Sequence, residues 1–169
     1  MKDLVEGSLV LHGLVDRFVA VRSSGLDEDS PEHSFAGQLS SFLYQKGINA
    51  ILSSIKQCWA SGFSERGLAY RNEHGLPVDS IQVGVVIQLM VDAEVSGVAF
   101  SRNPIAILDR DHIVVSSVWG LGEGLVSGLL DADHYLVHRD YYTHHSDIAK
   151  KTAALCRAQH GGVEQISLP

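Results

Sequence analysis

Apolar residues recur at every third or fourth position between Ile48 and Trp59, and no other segment constrains the fold as strongly. This spacing is typical of one face of an amphipathic helix, and its members are Ile48, Ile51, Leu52, Ile55, Cys58 and Trp59. Gly62 then ends the pattern, and Ser64 is placed to cap a second helix. The sequence therefore predicts a helical hairpin over about 47–75, whose apolar face other elements must cover.

On both sides of this hairpin the sequence has the texture of strands, with β-branched and apolar runs bounded by turn residues. The predicted strands are Phe18–Arg22, Ser41–Gln45, Ile81–Val91, Val95–Ser101, His112–Trp119 and His134–His138. Two continuous apolar runs, Val85–Ile87 and Ile113–Val115, are typical of strands covered on both faces. With a final helix predicted over about 147–158, the fold class is α+β: a mixed β-sheet with packed helices and a sheet-rich lobe over about 80–139.

Composition favours one compact domain over residues 1–169 and restricts its partners. The chain is 45% hydrophobic and 20% charged, the balance of a folded domain rather than of a disordered segment. Its net charge of −7 argues against a general electrostatic grip on nucleic acid or anionic lipid. No apolar run approaches the roughly 20 residues of a membrane helix, and Cys58 and Cys156 lack the spacing of a disulfide framework or zinc site. We expect a cytoplasmic protein without nucleic-acid or membrane partners.

A candidate anion site follows the first predicted strand. Arg22 precedes two serines and a glycine, and guanidinium, hydroxyl and accessible backbone N–H groups all donate hydrogen bonds to phosphate oxygens. The alternative is an ion pair between Arg22 and one of three acids in the polar loop that follows, Asp27, Glu28 and Asp29. Taken alone, these residues favour the ion pair.

A second candidate site is the glycine-rich segment Gly120–Gly128, which contains four glycines around one acid, Glu123. Glycines allow close approach of the backbone to a ligand, and the carboxylate could position magnesium or a ribose hydroxyl. The segment is neither a Walker loop nor a dinucleotide fingerprint, because it lacks the Gly-Lys-Ser/Thr and GxGxxG patterns. A glycine-rich turn that binds nothing is the open alternative.

Six segments in the same order together resemble the nucleotide-binding domain of the phosphoenolpyruvate synthase and pyruvate, phosphate dikinase family, which rifamycin phosphotransferases share. They are VAVRSS at 19–24, SFAGQ at 34–38, CWAS at 58–61, VIQLMVDAEVSGVAF at 86–100, NP at 103–104 and WGLGEGLVSG at 119–128. The resemblance spans about 18–139. The ordered set is far more specific than any one of its members.

The resemblance implies an ATP-grasp-like fold in which ATP lies between two α+β lobes and phosphorylates a histidine on a separate domain. It assigns Arg22 to the phosphates, Gly37 and Ser41 to loop contacts with the phosphates, and Gln88 to the adenine side. Glu123 receives only a weak role near phosphate or magnesium. Arginine suits the phosphate role because it stays charged and donates in bidentate fashion.

The chain also departs from the family pattern. The family's domain begins earlier, with a phosphate-binding lysine that residues 1–16 do not contain, and continues past Pro169 to an acidic strand that supplies magnesium ligands. Ser116 stands where the family commonly has glutamate. We therefore expect an incomplete domain that binds ATP, with Mg²⁺ ligands supplied by other segments. No catalytic or metal set is complete in this chain.

The parent protein implied by the resemblance is a phosphoenolpyruvate synthase-type dikinase, because the sequence of residues 88–100 is most similar to the phosphoenolpyruvate synthase branch of the family. Its other domains, a swivelling histidine domain and a pyruvate-binding barrel, would be partners of this chain. The alternatives are a fragment of a rifamycin phosphotransferase-like or pyruvate, phosphate dikinase enzyme, and a non-enzymatic or degenerate nucleotide-binding or interaction module. An exposed core face could also support self-association.

The isolated polypeptide is expected to lack turnover, since it carries neither the transferable histidine domain nor a complete metal site. The measurement is AMP formation from ATP in the presence of pyruvate and magnesium. Pyruvate-dependent AMP formation by the purified chain would contradict this expectation.

Overall fold

The structure is a computed structural model that describes residues 1–25, 39–77, 81–106 and 108–169. Within these ranges the chain forms helices and antiparallel sheets, so the α+β fold class is confirmed. The chain divides into two compact units, which are described separately below. Unit 1 comprises Met1–Met90 and Gln159–Gly162, and unit 2 comprises Val91–Ala158 and Val163–Pro169.

Unit 1 is a three-stranded antiparallel sheet with helices on one face. In chain order its elements are α1 Lys2–Leu11, β1 Val19–Gly25, β2 Ser41–Gln45, α2 Ile48–Ser61, α3 Glu65–Glu73 and β3 Val83–Leu89. The strand order is β2-β1-β3, so β1 is the central strand. Helices α2 and α3 occupy the segment for which the sequence predicts a hairpin, and Ser64 caps α3 by accepting a hydrogen bond from the Gly67 N–H at 3.2 Å.

The core of unit 1 lies between α2 and the sheet. Val19 and Val21 of β1 are fully buried, as is Cys58 of α2, and each buried aliphatic side chain contributes about 1.5–3 kcal/mol. The further core members are Leu9, Ile51 and Ile55. Trp59 is 41% exposed although the helical spacing places it with the apolar set. The core therefore uses a narrower stripe of α2 than the sequence pattern indicates.

Among the described residues, helices cover one face of β3. Val85 and Ile87 pack against the core, whereas Val86 between them is 50% exposed. The expectation that the Val85–Ile87 run is covered on both faces is therefore wrong within this structure. Successive strand residues point to opposite faces, so a continuous apolar run leaves every second side chain outside when helices cover a single face.

Unit 2 is built on a four-stranded antiparallel sheet of order β4-β5-β6-β7, followed by a two-stranded hairpin. Its elements are β4 Val95–Phe100, β5 His112–Trp119, α4 Glu123–Val126, β6 Asp133–His138, β7 His144–Asp147, β8 Ala153–Arg157 and β9 Val163–Ser167. A parallel bridge joins Gly120 to Leu155 of β8. This bridge attaches the hairpin to the segment that follows β5.

The helix predicted over about 147–158 is wrong, because this segment contains strand β8 instead. Cα partners run from Ala153 and Ser167 to Arg157 and Val163, so β8 gains a full antiparallel ladder from β9. Two glycines with positive φ, at +98° for Gly161 and +77° for Gly162, precede β9. Adjacent glycines are a hairpin signal, and cross-strand pairing overrides the weak helical spacing.

A buried ion pair holds the segment after β7 against the start of β6. The Lys151 ammonium donates to Asp133 Oδ1, which also accepts a hydrogen bond from the Ala149 N–H at 3.0 Å. The Lys151 hydrogen bond holds the pKa of Asp133 below its ordinary value. Both side chains are largely shielded from water, with 14% of Lys151 and 11% of Asp133 exposed. In the described part of the chain, no helix is long and apolar enough to cross a membrane.

Replacing Asp133 with asparagine is expected to destabilise the protein, because the buried Lys151 ammonium loses its charged partner. The loss of unfolding free energy should be about 1–3 kcal/mol at neutral pH, as for a charged hydrogen bond. Since the folded pKa of Asp133 is lowered, its contribution is fully present above the unfolded pKa and disappears as pH falls through the folded pKa, beginning near about pH 5.

Denaturant unfolding between neutral and acidic pH measures this difference. Asp131→Asn is the matched control, because Asp131 is exposed and lies two residues away in the chain. A constant gap between Asp133→Asn and the wild type across this pH range would contradict the assignment.

Candidate functional site

The exposed face of the unit 1 sheet, opposite α2, brings together three of the residues that the sequence assigns to nucleotide binding. Arg22, Ser41 and Gln88 are all exposed, and they lie on three different strands. The exposed members of this outer face on the three strands are Arg22, Ser24, Ser41, Gly84, Val86 and Gln88, whereas Ala20, which shares their parity on β1, is buried. We refer to these residues as the outer face.

The strand register sets the spacing within the outer face. Arg22 is the direct cross-strand partner of Ser41 on one side and of Val86 on the other. Directly opposite residues in an antiparallel pair have Cβ atoms about 4.5–5.5 Å apart, and diagonal neighbours about 7–8 Å. Gln88 is opposite Ala20 and therefore diagonal to Arg22. One ligand can consequently contact all three polar side chains.

A bulge in β2 sets Ser41 opposite Arg22. Val19 is paired with Gln45 and Val21 with Phe42, so β2 contains one extra residue across this interval. Tyr44 adopts a φ of +52° there and is buried, a left-handed conformation that few non-glycine residues adopt. Without the extra residue, pairing continued from Val19 and Gln45 would place Ser41 opposite Ser23, whereas with it Ser41 lies opposite Arg22 on the outer face.

Arg22 is available to an anionic ligand as far as the structure describes its surroundings. No carboxylate within the described ranges forms an ion pair with its guanidinium. The acids of the alternative interpretation, Asp27, Glu28 and Asp29, lie outside the described residues, as does Gly37. Both the ion-pair alternative and the role of Gly37 stay predictions.

Glu123 belongs to unit 2, where it is the exposed first residue of the short helix α4. The glycine-rich segment is therefore a turn that continues into a helix. Ser127 donates from its hydroxyl to the Glu123 backbone oxygen at 2.6 Å, which leaves the carboxylate group itself unused by this bond. The weak role assigned to Glu123 near phosphate or magnesium stays a prediction.

Packing explains two of the four glycines in this segment. A Cβ on Gly120, whose φ is +77°, would lie 2.1 Å from the backbone oxygen of Leu155. A Cβ on Gly124 would lie 2.4 Å from the Leu130 side chain. These contacts are within unit 2, and the Leu121 N–H donates to the same Leu155 oxygen at 2.8 Å. Close approach to protein backbone therefore requires glycine at Gly120, whereas a side chain at Gly124 would require the Leu130 side chain to move.

The Asn103-Pro104 motif has a structural explanation as well. Asn103 Oδ1 accepts hydrogen bonds from the N–H groups of Ile105 and Ala106, both at 3.1 Å, while its amide donates to Asp109. Asp109 also contacts His112 Nδ1 at 2.8 Å, and this hydrogen bond holds the pKa of Asp109 below its ordinary value. The network closes the connection between β4 and β5.

Ser116, which replaces the glutamate expected from the family resemblance, lies in the middle of β5. Its hydroxyl oxygen is 2.8 Å from His134 Nδ1 on β6, a cross-strand hydrogen bond between directly paired residues. Among the described residues, no group of three or more histidine, cysteine or acidic side chains is arranged to hold a metal ion.

Comparison with known proteins identifies the family of this chain. The chain belongs to the family described as pyruvate phosphate dikinase, AMP/ATP-binding domain, which it matches over residues 7–169. It is 38% identical over 151 residues to a phosphoenolpyruvate synthase of Pyrococcus furiosus, with 89% of this chain and 18% of that protein covered. The resemblance identified from the sequence motifs is confirmed.

Other relatives carry different names. A rifampicin phosphotransferase of Bacillus cereus is 42% identical over 146 residues, which cover 86% of this chain and 17% of that protein. A prodigiosin synthesizing transferase of Serratia marcescens is 41% identical over 121 residues, which cover 72% of this chain and 13% of that protein. The chain thus spans less than a fifth of the length of each of these relatives.

Sequence motifs alone did not identify Val86 as part of the outer face. It is the direct cross-strand partner of Arg22 and is half exposed. The signal was present in the alternation of β3, since Val86 and Gln88 share one parity while Val85 and Ile87 share the other. An apolar side chain beside Arg22 and Gln88 gives the face a surface on which a flat ring can pack.

Gly120→Ala is expected to lower the free energy of unfolding by about 1–3 kcal/mol more than Gly128→Ala does. Both glycines have a positive φ, +77° and +71°, so both variants carry the same backbone strain. Only the Gly120 variant also drives a Cβ into the Leu155 backbone, because nothing lies within 4 Å of the Cβ position at Gly128. Denaturant unfolding measures both, and equal losses would contradict the packing explanation.

Proposed function

We propose that this chain binds ATP on the outer face and serves as nucleotide-binding part of a phosphoenolpyruvate synthase-type dikinase. One observation carries the proposal: the strand register collects Arg22, Ser41 and Gln88 on one exposed face of the central sheet of unit 1. Membership of an AMP/ATP-binding domain family supports the choice of ligand. The ATP-grasp arrangement, with ATP between two lobes, is part of this proposal.

The outer face divides into a phosphate end and a base end. Arg22 and Ser41 are direct partners, so a guanidinium and a hydroxyl can donate to the same phosphate group. Gln88 lies two residues further along β3 than the position opposite Arg22. Its amide can donate and accept at once, which matches the paired donor and acceptor on the edge of adenine. Val86 supplies apolar contact between the two ends.

In the proposed reaction, the residues of this chain act by binding and positioning rather than by forming covalent bonds. Phosphoryl transfer depends mainly on alignment and on neutralisation of phosphate charge. Arg22 supplies one permanent positive charge for that purpose. We propose that magnesium accompanies ATP and that other segments of the parent enzyme supply its protein ligands, as the family resemblance implies. The described residues contain no group of three or more histidine, cysteine or acidic side chains placed to hold a metal ion.

The acceptor is proposed from the likeness to one branch of the family. The relatives include proteins named phosphoenolpyruvate synthase and others named rifampicin phosphotransferase, so this domain alone does not define what receives the phosphoryl group. We propose pyruvate as the final acceptor in a cytoplasmic enzyme. A swivelling histidine domain and a pyruvate-binding barrel would be the other parts of that enzyme.

Arg22→Ala is expected to weaken binding of Mg-ATP by about tenfold to a hundredfold, the range for loss of a charged hydrogen bond. Calorimetric titration of the purified chain measures this change. In parallel, ATP at about 100 times its dissociation constant should stabilise the wild type by about 2.7 kcal/mol, a shift of several degrees in Tm. Arg17→Ala is the control, because Arg17 is exposed, precedes β1 and carries the same charge.

Gln88→Ala separates the base end from the phosphate end. This variant should weaken ATP about threefold to tenfold, as expected for neutral hydrogen bonds, but leave the binding of inorganic tripolyphosphate unchanged. Arg22→Ala should weaken both ligands. Saturable ATP binding that neither substitution alters would place the nucleotide elsewhere and contradict the proposal.

A further inference from the structure

The backbone just before β2 is fixed by hydrogen bonds to both the N–H and the carbonyl oxygen of Ser40. Ser40 precedes Ser41 in the chain, and Ser41 is the residue opposite Arg22. Ser40 donates its N–H to Ser61 Oγ at 3.1 Å. Its carbonyl oxygen accepts from Ser23 Oγ at 2.7 Å and from the Ser23 N–H at 3.2 Å. Both backbone polar groups of Ser40 are therefore hydrogen-bonded.

The partners of Ser40 come from two different elements of unit 1. Ser23 belongs to β1 and is half-buried, while Ser61 is the last residue of α2 and is 8% exposed. Ser61 also donates from its hydroxyl to the Cys58 carbonyl oxygen at 2.7 Å. Helix α2 thus orients the Ser61 hydroxyl, which in turn fixes the backbone at the start of β2. We call Ser23, Ser40, Cys58 and Ser61 the Ser40 clamp.

Cys58 completes the clamp from beneath the sheet. Its thiol is fully buried and lies 3.6 Å from the Ser40 carbonyl oxygen and 3.7 Å from the Val21 carbonyl oxygen. Burial raises the pKa of the Cys58 thiol, so the sulfur keeps its proton and serves as a weak donor to both carbonyls. The thiol therefore links the backbones of β1 and β2 below the outer face.

The clamp lies on the opposite side of the sheet from the ligand-facing side chains. Ser23 alternates with Arg22 along β1, so the two side chains project to opposite faces. The clamp hydroxyls do not reach the outer face, yet they fix the backbone from which Ser41 projects. A small displacement of this backbone changes the distance between Ser41 and Arg22, on which shared phosphate binding depends.

We propose that Ser23 and Ser61 are positioning residues for nucleotide binding, which act through the Ser40 peptide to hold Ser41 opposite Arg22. This inference rests on the proposed ATP-binding function. It assigns a role in nucleotide binding to Ser61, the serine of the Cys-Trp-Ala-Ser segment, although Ser61 need not contact the nucleotide. Ser61 is coupled to the ligand through backbone geometry, and Ser23 is coupled through the same peptide.

The test compares Mg-ATP affinity with Tm in variants of the whole chain. Ser61→Ala and Ser23→Ala should each weaken Mg-ATP about threefold to tenfold, the effect of one neutral hydrogen bond. Ser23→Thr should restore binding, because threonine keeps the hydroxyl and suits a strand. Ser64→Ala is the matched control: it removes the cap of α3 and lowers Tm, but Ser64 does not touch Ser40, so its affinity should equal that of the wild type.

Three results would overturn the inference. The first is unchanged affinity in both clamp variants while the wild type binds ATP. The second is an equal loss of affinity in Ser64→Ala, which would make the effect one of general stability. The third applies if Ser61→Ala fails to fold. Ser23→Ala should still fold, because it retains the backbone bond to Ser40 and loses only the hydroxyl bond, and unchanged affinity in this variant would then overturn the inference.

Failure of the proposed function has a different signature. If the wild type does not bind Mg-ATP, the proposed function fails and hydrogen exchange in the ligand-free protein decides about the clamp. Faster exchange of the Ser40 and Ser41 amides in Ser61→Ala than in Ser64→Ala would support the inference that Ser61 fixes the backbone at the start of β2. Equal exchange rates in these two variants would overturn it.

Discussion

Antiparallel pairing of β1 with a strand on each side is the constraint on which unit 1 depends. Because side chains alternate along a strand, the same pairing that buries Val19 and Val21 under α2 turns Arg22 outward. Core and candidate site are therefore two faces of one ladder. A slip of one residue in this ladder would bury the guanidinium and expose the valines, so the stability of the core also enforces the register of the site.

Local patterns predicted the elements whose signals are local. The spacing of α2, the Ser64 cap and the short strand Ser41–Gln45 all depend on neighbours within a few residues, and the structure contains each of them. The hairpin of β8 and β9 was missed because its stabilisation comes from pairing across the Gly161-Gly162 turn. A short apolar stretch can follow either periodicity, and only its partner decides between helix and strand.

The candidate site was predictable in its residue types but not in its assembly. The sequence motifs identified Arg22, Ser41 and Gln88 as candidates, and the alternation of side chains along β3 could have added Val86 to the candidate site. Their grouping on one face required the bulge in β2, which no local signal announces. For the glycines in the segment from Gly120 the sequence left ligand contact and a turn without a ligand both open, and two of these glycines lie against neighbouring protein atoms. The glycine-rich motif thus reflects packing within the protein, whereas the motifs that contain Arg22 and Gln88 lie on an exposed polar face.

The two cysteines make the chain its own reporter of local opening. Cys58 is fully buried in unit 1, whereas Cys156 lies half-buried on β8 of unit 2. Alkylation requires access and the thiolate form, so Cys58 becomes reactive only when α2 separates from the sheet. Cys156 samples the β8–β9 hairpin instead. The labelling rate of Cys58 therefore measures opening of the unit 1 core, and the partly accessible Cys156 serves as an internal reference, without any introduced probe.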